Sequence, residues 1–290
     1  MIVGIYGQNY TNEANSKAFQ LLVDALIDCK VDITVEHHFL EIQKIDTQKS
    51  TRLQSFLDLS EPVDVLITIG GDGTILRAIT LVKNSNIPII GINTGRLGFL
   101  ATIQINAIKS TIEKVIARNY QISERTLLSI TIDNDEAIIP NFALNEITVS
   151  RKNTTSMITV ETYLDQEYLT SYWADGLIIS TPTGSTGYSL SCGGPVISPQ
   201  ANNIVLTPIA PHNLSARPLV INDTTTIVLS VEGREDEFLL SLDSRIITLP
   251  KETKLTIKKA DFKIKMIELA HNSFIDTLRK KLLWGEDNRN

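Results

Sequence analysis

The chain has 290 residues, 42% of them hydrophobic and 21% charged, which excludes a disordered or fibrous chain and suits about two domains at about 150 residues each. Lys and Arg number 27 against 33 Asp and Glu, a formal net charge of −6, which argues against nucleic acid as a partner because that needs a basic footprint. The two cysteines, Cys29 and Cys192, form no Cys-x-x-Cys pattern, and the four histidines (His37, His38, His212, His271) have no metal-ligand spacing, so neither a disulfide framework nor a protein-built metal centre is expected.

Ile2 to Tyr6 is a short apolar stretch that predicts a strand. It lacks the basic start and long apolar core of a secretion signal, so the expected compartment is a reduced cytoplasm. Ala18, Leu21, Leu22, Ala25 and Leu26 recur at helical spacing, and Val31 to Val35 alternates as a strand. Val63 to Ile69 is almost wholly apolar and rich in β-branched residues, as in a parallel strand buried on both faces. A glycine turn follows, then helical periodicity over Ile75–Val82, a strand over Pro88–Ile92, and a helix marked by Ile108, Ile112, Val115 and Ile116 with Asn106 as its expected N-cap. Such alternation implies a parallel sheet with helices on its faces.

The pattern changes near Tyr120. Short β-rich runs follow at Leu128–Ile132, Ile147–Val149, Ile158–Tyr163, Gly176–Ser180, Thr226–Val231, Phe238–Leu242, Lys254–Lys258 and Phe262–Ile267, which suggests a two-sheet domain. A last helix begins after His271, with Ser273 and Asp276 spaced as a capping box; packing back onto the first domain would bury its apolar side. No apolar run reaches the ~18 residues of a membrane helix, and no membrane partner is expected.

Four stretches carry chemistry. Gly70-Gly71-Asp72-Gly73-Thr74 lies between a buried strand and a helix, where helix N-terminal amides favour an anion. It is neither a Walker A loop nor G-x-G-x-x-G. A carboxylate repels phosphate, so Asp72 fits better as the group that accepts a proton from a hydroxyl or orients it. Phosphoryl transfer to an alcohol is the chemistry this combination suggests; the alternative is a helix cap in a tight turn. Asp175-Gly176 opens a strand that runs into Thr181-Pro-Thr-Gly-Ser-Thr-Gly-Tyr-Ser-Leu-Ser-Cys-Gly-Gly-Pro195, whose hydroxyls suit ribose and amide groups. Asn145-Glu146 interrupts an apolar run, so the two residues form either a turn or, if buried, a pair in need of partners. Asn93-Thr-Gly-Arg-Leu-Gly-Phe-Leu100 follows a strand directly, where open α/β sheets bind ligands. Arg77, one turn into the helix, is a candidate phosphate contact.

Taken in chain order from Gly70, with His212-x-Leu-x-x-Arg-Pro218 last, these stretches resemble the NAD kinases. The lone Gly-Gly-Asp-Gly is shared with diacylglycerol and sphingosine kinases, so a lipid kinase is the alternative function, and a non-catalytic dinucleotide sensor is another. The resemblance implies transfer of a phosphate from ATP or polyphosphate to the 2′-hydroxyl of the adenosine ribose of NAD, giving NADP. It implies that Asp72 activates that hydroxyl and that Gly73 lies against the dinucleotide. Asn145 and Glu146 would contact the adenosine, and Asp175 the nicotinamide end in a neighbouring subunit. Thr183, Thr186, Gly187, Tyr188, Ser189, Leu190, Ser191 and Ala210 would line the adenosine pocket. It further implies a homodimer or homotetramer and a divalent ion, magnesium, held through donor phosphates. Asp243-Ser244 departs from a common Asp-Gly, and no role is carried onto Arg245. The expected architecture is a Rossmann-like α/β nucleotide-binding domain over 1–120, completed by 271–290, and a β-rich NAD-binding domain over 121–270.

Overall fold

The computed structural model describes residues 1–8, 12–43, 53–59, 62–133, 140–153, 156–270 and 273–283; His271 lies outside them. The chain divides into two compact units, Met1–Glu124 with Ile264–Asn290, and Arg125–Lys263.

The first unit contains β1 (Ile2–Gly7), α1 (Glu13–Asp28), β2 (Asp32–Glu36), α2 (His37–Gln43), β3 (Leu53–Phe56), β4 (Val65–Gly70), α3 (Asp72–Val82), β5 (Ile89–Asn93), β6 (Ile103–Gln104) and α4 (Ile108–Ile116). Its strands pair in parallel, with β1 between β2 and β4, β3 beside β2, and β5 between β4 and β6. All six residues of β4 are buried, as a strand covered on both faces requires. The core joins Ile5, Ile33, Ile67 and Ile92 of the sheet to Phe19, Leu22, Leu26 and Ile112 of the helices. The chain order runs outward from β1 through β2 to β3 on one side and from β4 to β5 on the other. The β1/β4 boundary is therefore the switch point of the sheet, the position beyond which open α/β folds bind ligands.

One expected cap is corrected. Asn106 does not cap α4; it lies within a 3-10 turn over Ile105–Ala107, and the capping position falls to Ala107 without a side-chain bond.

The second unit begins within β7 (Gln121–Ile132) and continues through β8 (Phe142–Ala143), β9 (Glu146–Arg151), β10 (Ile158–Leu164), β11 (Glu167–Ala174), β12 (Gly176–Ser180), a short helix α5 (Tyr188–Ser191), β13 (Asn203–Ile209), β14 (Leu219–Asn222), β15 (Ile227–Gly233), β16 (Glu237–Leu242), β17 (Arg245–Pro250) and β18 (Leu255–Glu268). One sheet runs β14-β13-β12-β9-β16-β17; the other pairs β11, β10, β15 and β18, with β7 beside β18 and β8 beside β7. Side chains of both sheets, among them Val149, Leu177 and Leu240 from one and Val160, Leu229 and Leu255 from the other, share one core, the arrangement of a β-sandwich. The two runs expected at Lys254–Lys258 and Phe262–Ile267 are one continuous strand; its part from Ile264 onward belongs to the first unit, where Met266 pairs with β5.

The last helix, α6 (Phe274–Leu282), begins at the expected cap: the Asp276 N–H donates to Ser273 Oγ at 3.1 Å. It belongs to the first unit. There Phe274 meets Phe99 with ring centroids 6.2 Å apart, and Lys281 Nζ lies 4.7 Å above the Phe99 ring. Among the described residues, no helix is long and apolar enough to cross a membrane.

Candidate active site

In the first unit the site forms where β4 and β5 end. Gly71 takes the N-cap position of α3 and makes no side-chain cap bond, and Asp72 is the first helical residue. The alternative reading of Asp72 as a cap is thus overturned. Its carboxylate reaches across to the loop after β5: Oδ2 accepts the Phe99 N–H at 2.8 Å, and Oδ1 accepts the N–H groups of Leu100 at 3.0 Å and Ala101 at 2.9 Å. The same loop is closed by buried Asn93, whose Nδ2 donates to the carbonyls of Arg96 and Ala101 and whose Oδ1 accepts the Gly95 N–H. Gly98 is required there, because a Cβ would overlap the Asp72 carboxylate.

A carboxylate offers about four acceptor positions. Asp72 has three occupied by amides, and the spare one is on Oδ2. The side chain is half-buried. Gly71 and Gly73 are exposed, which leaves the first turn of α3 open on its positive end. Arg77 is exposed one turn further on. Its charge is felt at Tyr6 near the end of β1: burial raises the Tyr6 hydroxyl, Glu36 adds to that, and Arg77 opposes it.

In the second unit Asn145 and Glu146 form the turn into β9. Every backbone polar group of Leu144, Asn145 and Glu146 is engaged. The Leu144 N–H donates to Asp243 Oδ2 at 3.0 Å, and those of Asn145 and Glu146 donate to Asp243 Oδ1 at 2.8 and 3.2 Å. The Leu144 carbonyl accepts from Thr181 Oγ1 at 2.6 Å, the Asn145 carbonyl from the Thr181 N–H, and the Glu146 carbonyl from the Asp243 N–H. The side chains are left over: Asn145 Oδ1 and Glu146 Oε2 are buried without a partner, as is Thr183 Oγ1. Buried polar atoms in this state have bonding capacity to spare. The Glu146 carboxyl is pushed up to about 8, by burial first and then by the charge of Asp243, with the Tyr188 backbone N–H working against both.

The hydroxyl-rich run turns beside this pair. Gly184 presses on the Asn145 backbone so closely that a Cβ would overlap it. Thr186 Oγ1 donates to the Thr183 carbonyl at 3.1 Å. Gly187 and Leu190 are half-buried, Ser191 and Ala210 exposed. Tyr188 is 45% exposed. Ser189 is fully buried, and its hydroxyl is engaged with Thr207 at 2.8 Å. Asp175 pairs with Arg151 at 2.9 Å. His212 packs against Trp173 with centroids 4.3 Å apart and the rings tilted by 48°.

The sequence assigns no role to Asp243 or Arg151, and it offers Asn93 only as the start of a candidate loop. A lone aspartate between two strands looks like any turn residue, and its partners lie 97 to 99 positions away.

An α/β unit with an open helix N-terminus beside a carboxylate, and a β-rich unit with buried unpartnered polar side chains, are the features of a nucleotide-dependent phosphotransferase. The comparisons specify it further. Residues 3–120 match the ATP-NAD kinase N-terminal domain and residues 144–269 the ATP-NAD kinase C-terminal domain. The chain is 54% identical to an NAD kinase of Christiangramia forsetii and 55% identical to one of Flavobacterium psychrophilum, covering 100% of both chains in each case. Among solved structures it resembles yeast NADH kinase complexed with NADH, with a TM-score of 0.87 and 26% identity over 100% of this chain and 89% of the other. It also resembles an NAD kinase from Archaeoglobus fulgidus in complex with ATP, with a TM-score of 0.74 and 25% identity over 97% of both. The chain belongs to the ATP-NAD kinase family.

Proposed function

We infer that this chain is an NAD kinase and that it transfers the terminal phosphate of ATP to the 2′-hydroxyl of the adenosine ribose of NAD, giving NADP. The observation that carries the mechanism is the bonding of Asp72. Three amides fix its carboxylate in one orientation and leave a single acceptor position on Oδ2. That position takes the ribose hydroxyl as donor, orients its oxygen for attack and accepts its proton as the bond to phosphorus forms. The exposed glycines and the open first turn of α3 hold donor phosphates through backbone amides, and Arg77 adds a positive charge at their edge.

In the second unit, Asn145 Oδ1, Glu146 and Thr183 Oγ1 bond the adenosine, and Tyr188 offers an exposed ring for the adenine. Gly187, Leu190, Ser191 and Ala210 shape the same pocket, with Ser189 holding the short helix from within. Asp175, already paired with Arg151, meets the nicotinamide end in a neighbouring subunit of a homodimer or homotetramer. Among the described residues no three His, Cys, Asp or Glu side chains gather into a metal cage. A divalent ion, magnesium by its preference for phosphate oxygens, would be held by the donor and would neutralise charge on the transferring phosphate. The expected compartment is the cytoplasm.

The test is direct. The purified chain is incubated with NAD, magnesium and either ATP or polyphosphate, and NADP is measured. The expected result is NADP formation that is lost in Asp72→Asn while NAD binding persists. Near-native turnover of that variant would remove the role of Asp72, and absence of NADP with either donor would remove the activity.

A further inference from the structure

We propose that Asp243 is a positioning residue of the dinucleotide site: without touching the ligand, it fixes the Leu144–Glu146 turn through three consecutive backbone amides and so presents the side chains of Asn145 and Glu146. The proposal rests on the reading that this pair binds the adenosine of NAD.

Asp243 occupies the tight turn between β16 and β17 with a left-handed backbone, φ 52°. Its side chain is 1% exposed. A buried carboxylate costs desolvation, and an ordinary hairpin turn needs none. This one is stabilised by three charge-assisted bonds from the amides of Leu144, Asn145 and Glu146. Its own N–H returns a bond to the Glu146 carbonyl at 3.0 Å. The clamp is held from behind. Arg245 lies 4.0 Å from Asp243 Oδ2 and donates to the carbonyls of Pro140 and Phe142 just before the turn. Ser241 Oγ donates to the Asp243 carbonyl at 2.7 Å.

The arrangement also separates two neighbouring carboxyls. Burial pushes both upward. Asp243 has three amides and a guanidinium to hold its charge, whereas Glu146 has one amide and faces that charge. More groups oppose the effect of burial at Asp243 than at Glu146, and the charge of Asp243 is itself one of the causes that raise Glu146. The titratable or charged groups facing Glu146 are Asp243 from the β16–β17 turn and Tyr188 from α5, with Arg245 of β17 behind Asp243. A protonated Glu146 can donate a hydrogen bond to the dinucleotide as well as accept one.

Steady-state kinetics of the full chain with NAD and ATP test this in Asp243→Ala and Asp243→Asn, with Asn145→Ala and Glu146→Ala as controls and thermal unfolding as the check on folding. Asp243→Ala is expected to raise KM for NAD on the order of 10–100-fold, with kcat and KM for ATP changing less than about threefold. Asp243→Asn keeps an oxygen for the Asn145 and Glu146 amides, so the rise in KM is smaller. Removal of the charge, one of the causes that raise Glu146, should also move the midpoint of the pH profile of kcat/KM for NAD to lower pH. A residue that merely held the fold would lower melting temperature and all kinetic constants together and leave that midpoint in place; this result overturns the proposal, as does a native KM in both variants. If the Asn145 and Glu146 controls leave KM for NAD unchanged, it is the adenosine reading that fails. If they raise it and the Asp243 variants do not, positioning by Asp243 alone fails.

Discussion

The two units solve the same local problem with the same device and put it to different uses. In the α/β unit, Asp72 accepts three consecutive amides from Phe99 to Ala101; in the β-rich unit, Asp243 accepts three from Leu144 to Glu146. In both, Oδ1 takes two amides and Oδ2 one. The difference lies in what faces the spare position on Oδ2. For Asp243, itself buried, it is the guanidinium of the partly exposed Arg245. Asp72, a half-buried group, has no cationic partner among the described residues. A clamped carboxylate that is buried and neutralised can only position its neighbours, whereas one that remains open can also take part in proton transfer. Each clamp also has a glycine pressed against it, Gly98 on the Asp72 carboxylate and Gly184 on the Asn145 backbone.

The comparison breaks most sharply at Asp72. Asp72→Ala is expected to lower the rate of NADP formation about 10²–10⁴-fold with NAD affinity retained; equal losses in both would reduce Asp72 to a second Asp243.

Next in size is a pH effect confined to the β-rich unit. In the folded chain the Glu146 carboxyl titrates near 8, against 4.5 for the free side chain. Below its unfolded value the group is protonated in both states. As pH rises toward 8 the unfolded chain ionises and the folded one does not, so stability falls across that window and the loss is complete above it. Urea unfolding of the ligand-free chain should show Glu146→Gln more stable than the native sequence above about pH 8, on the order of a few kcal/mol. No difference there would place the proton elsewhere.

The two glycines separate the units kinetically. Gly98→Ala forces the Asp72 carboxylate aside and should lower kcat about 10²-fold, with the dissociation constant for NAD unchanged by equilibrium titration. Gly184→Ala overpacks the Asn145 turn, at a cost of about 1–3 kcal/mol, and should raise KM for NAD about tenfold while leaving KM for ATP near its native value. If both variants altered the same constant, the division of labour between the clamps would be wrong.

The comparison also separates what was readable in the chain from what was not. The strand–glycine–helix grammar around Gly70–Thr74 is local, so β4, the turn and α3 follow from apolar run, glycines and periodicity. The β-rich second half was visible as a class. Yet α2, β3, β11, β13, β14 and β17 escaped, because the polar or mixed sequence of strands such as Glu167–Ala174 gives no clean alternation and their neighbours in the sheet supply the order. Asp72 and Asn145-Glu146 stood out because their residue types are costly among glycines and apolar runs. Asp243 did not, because a turn aspartate is unremarked until its partners are known.

Sequence by itself therefore determined the class of each half, the place of the glycine loop and the chemistry its carboxylate can perform, since all of these depend on residues within about ten positions of one another. Only the tertiary structure decided that Asp72 is aimed at the Phe99–Ala101 amides and not at its own helix, that Asp243 governs the Asn145-Glu146 turn, and that Glu146 carries a proton near neutrality. Those depend on desolvation and on hydrogen bonds spanning 27 to 99 positions of chain, which local patterning does not encode.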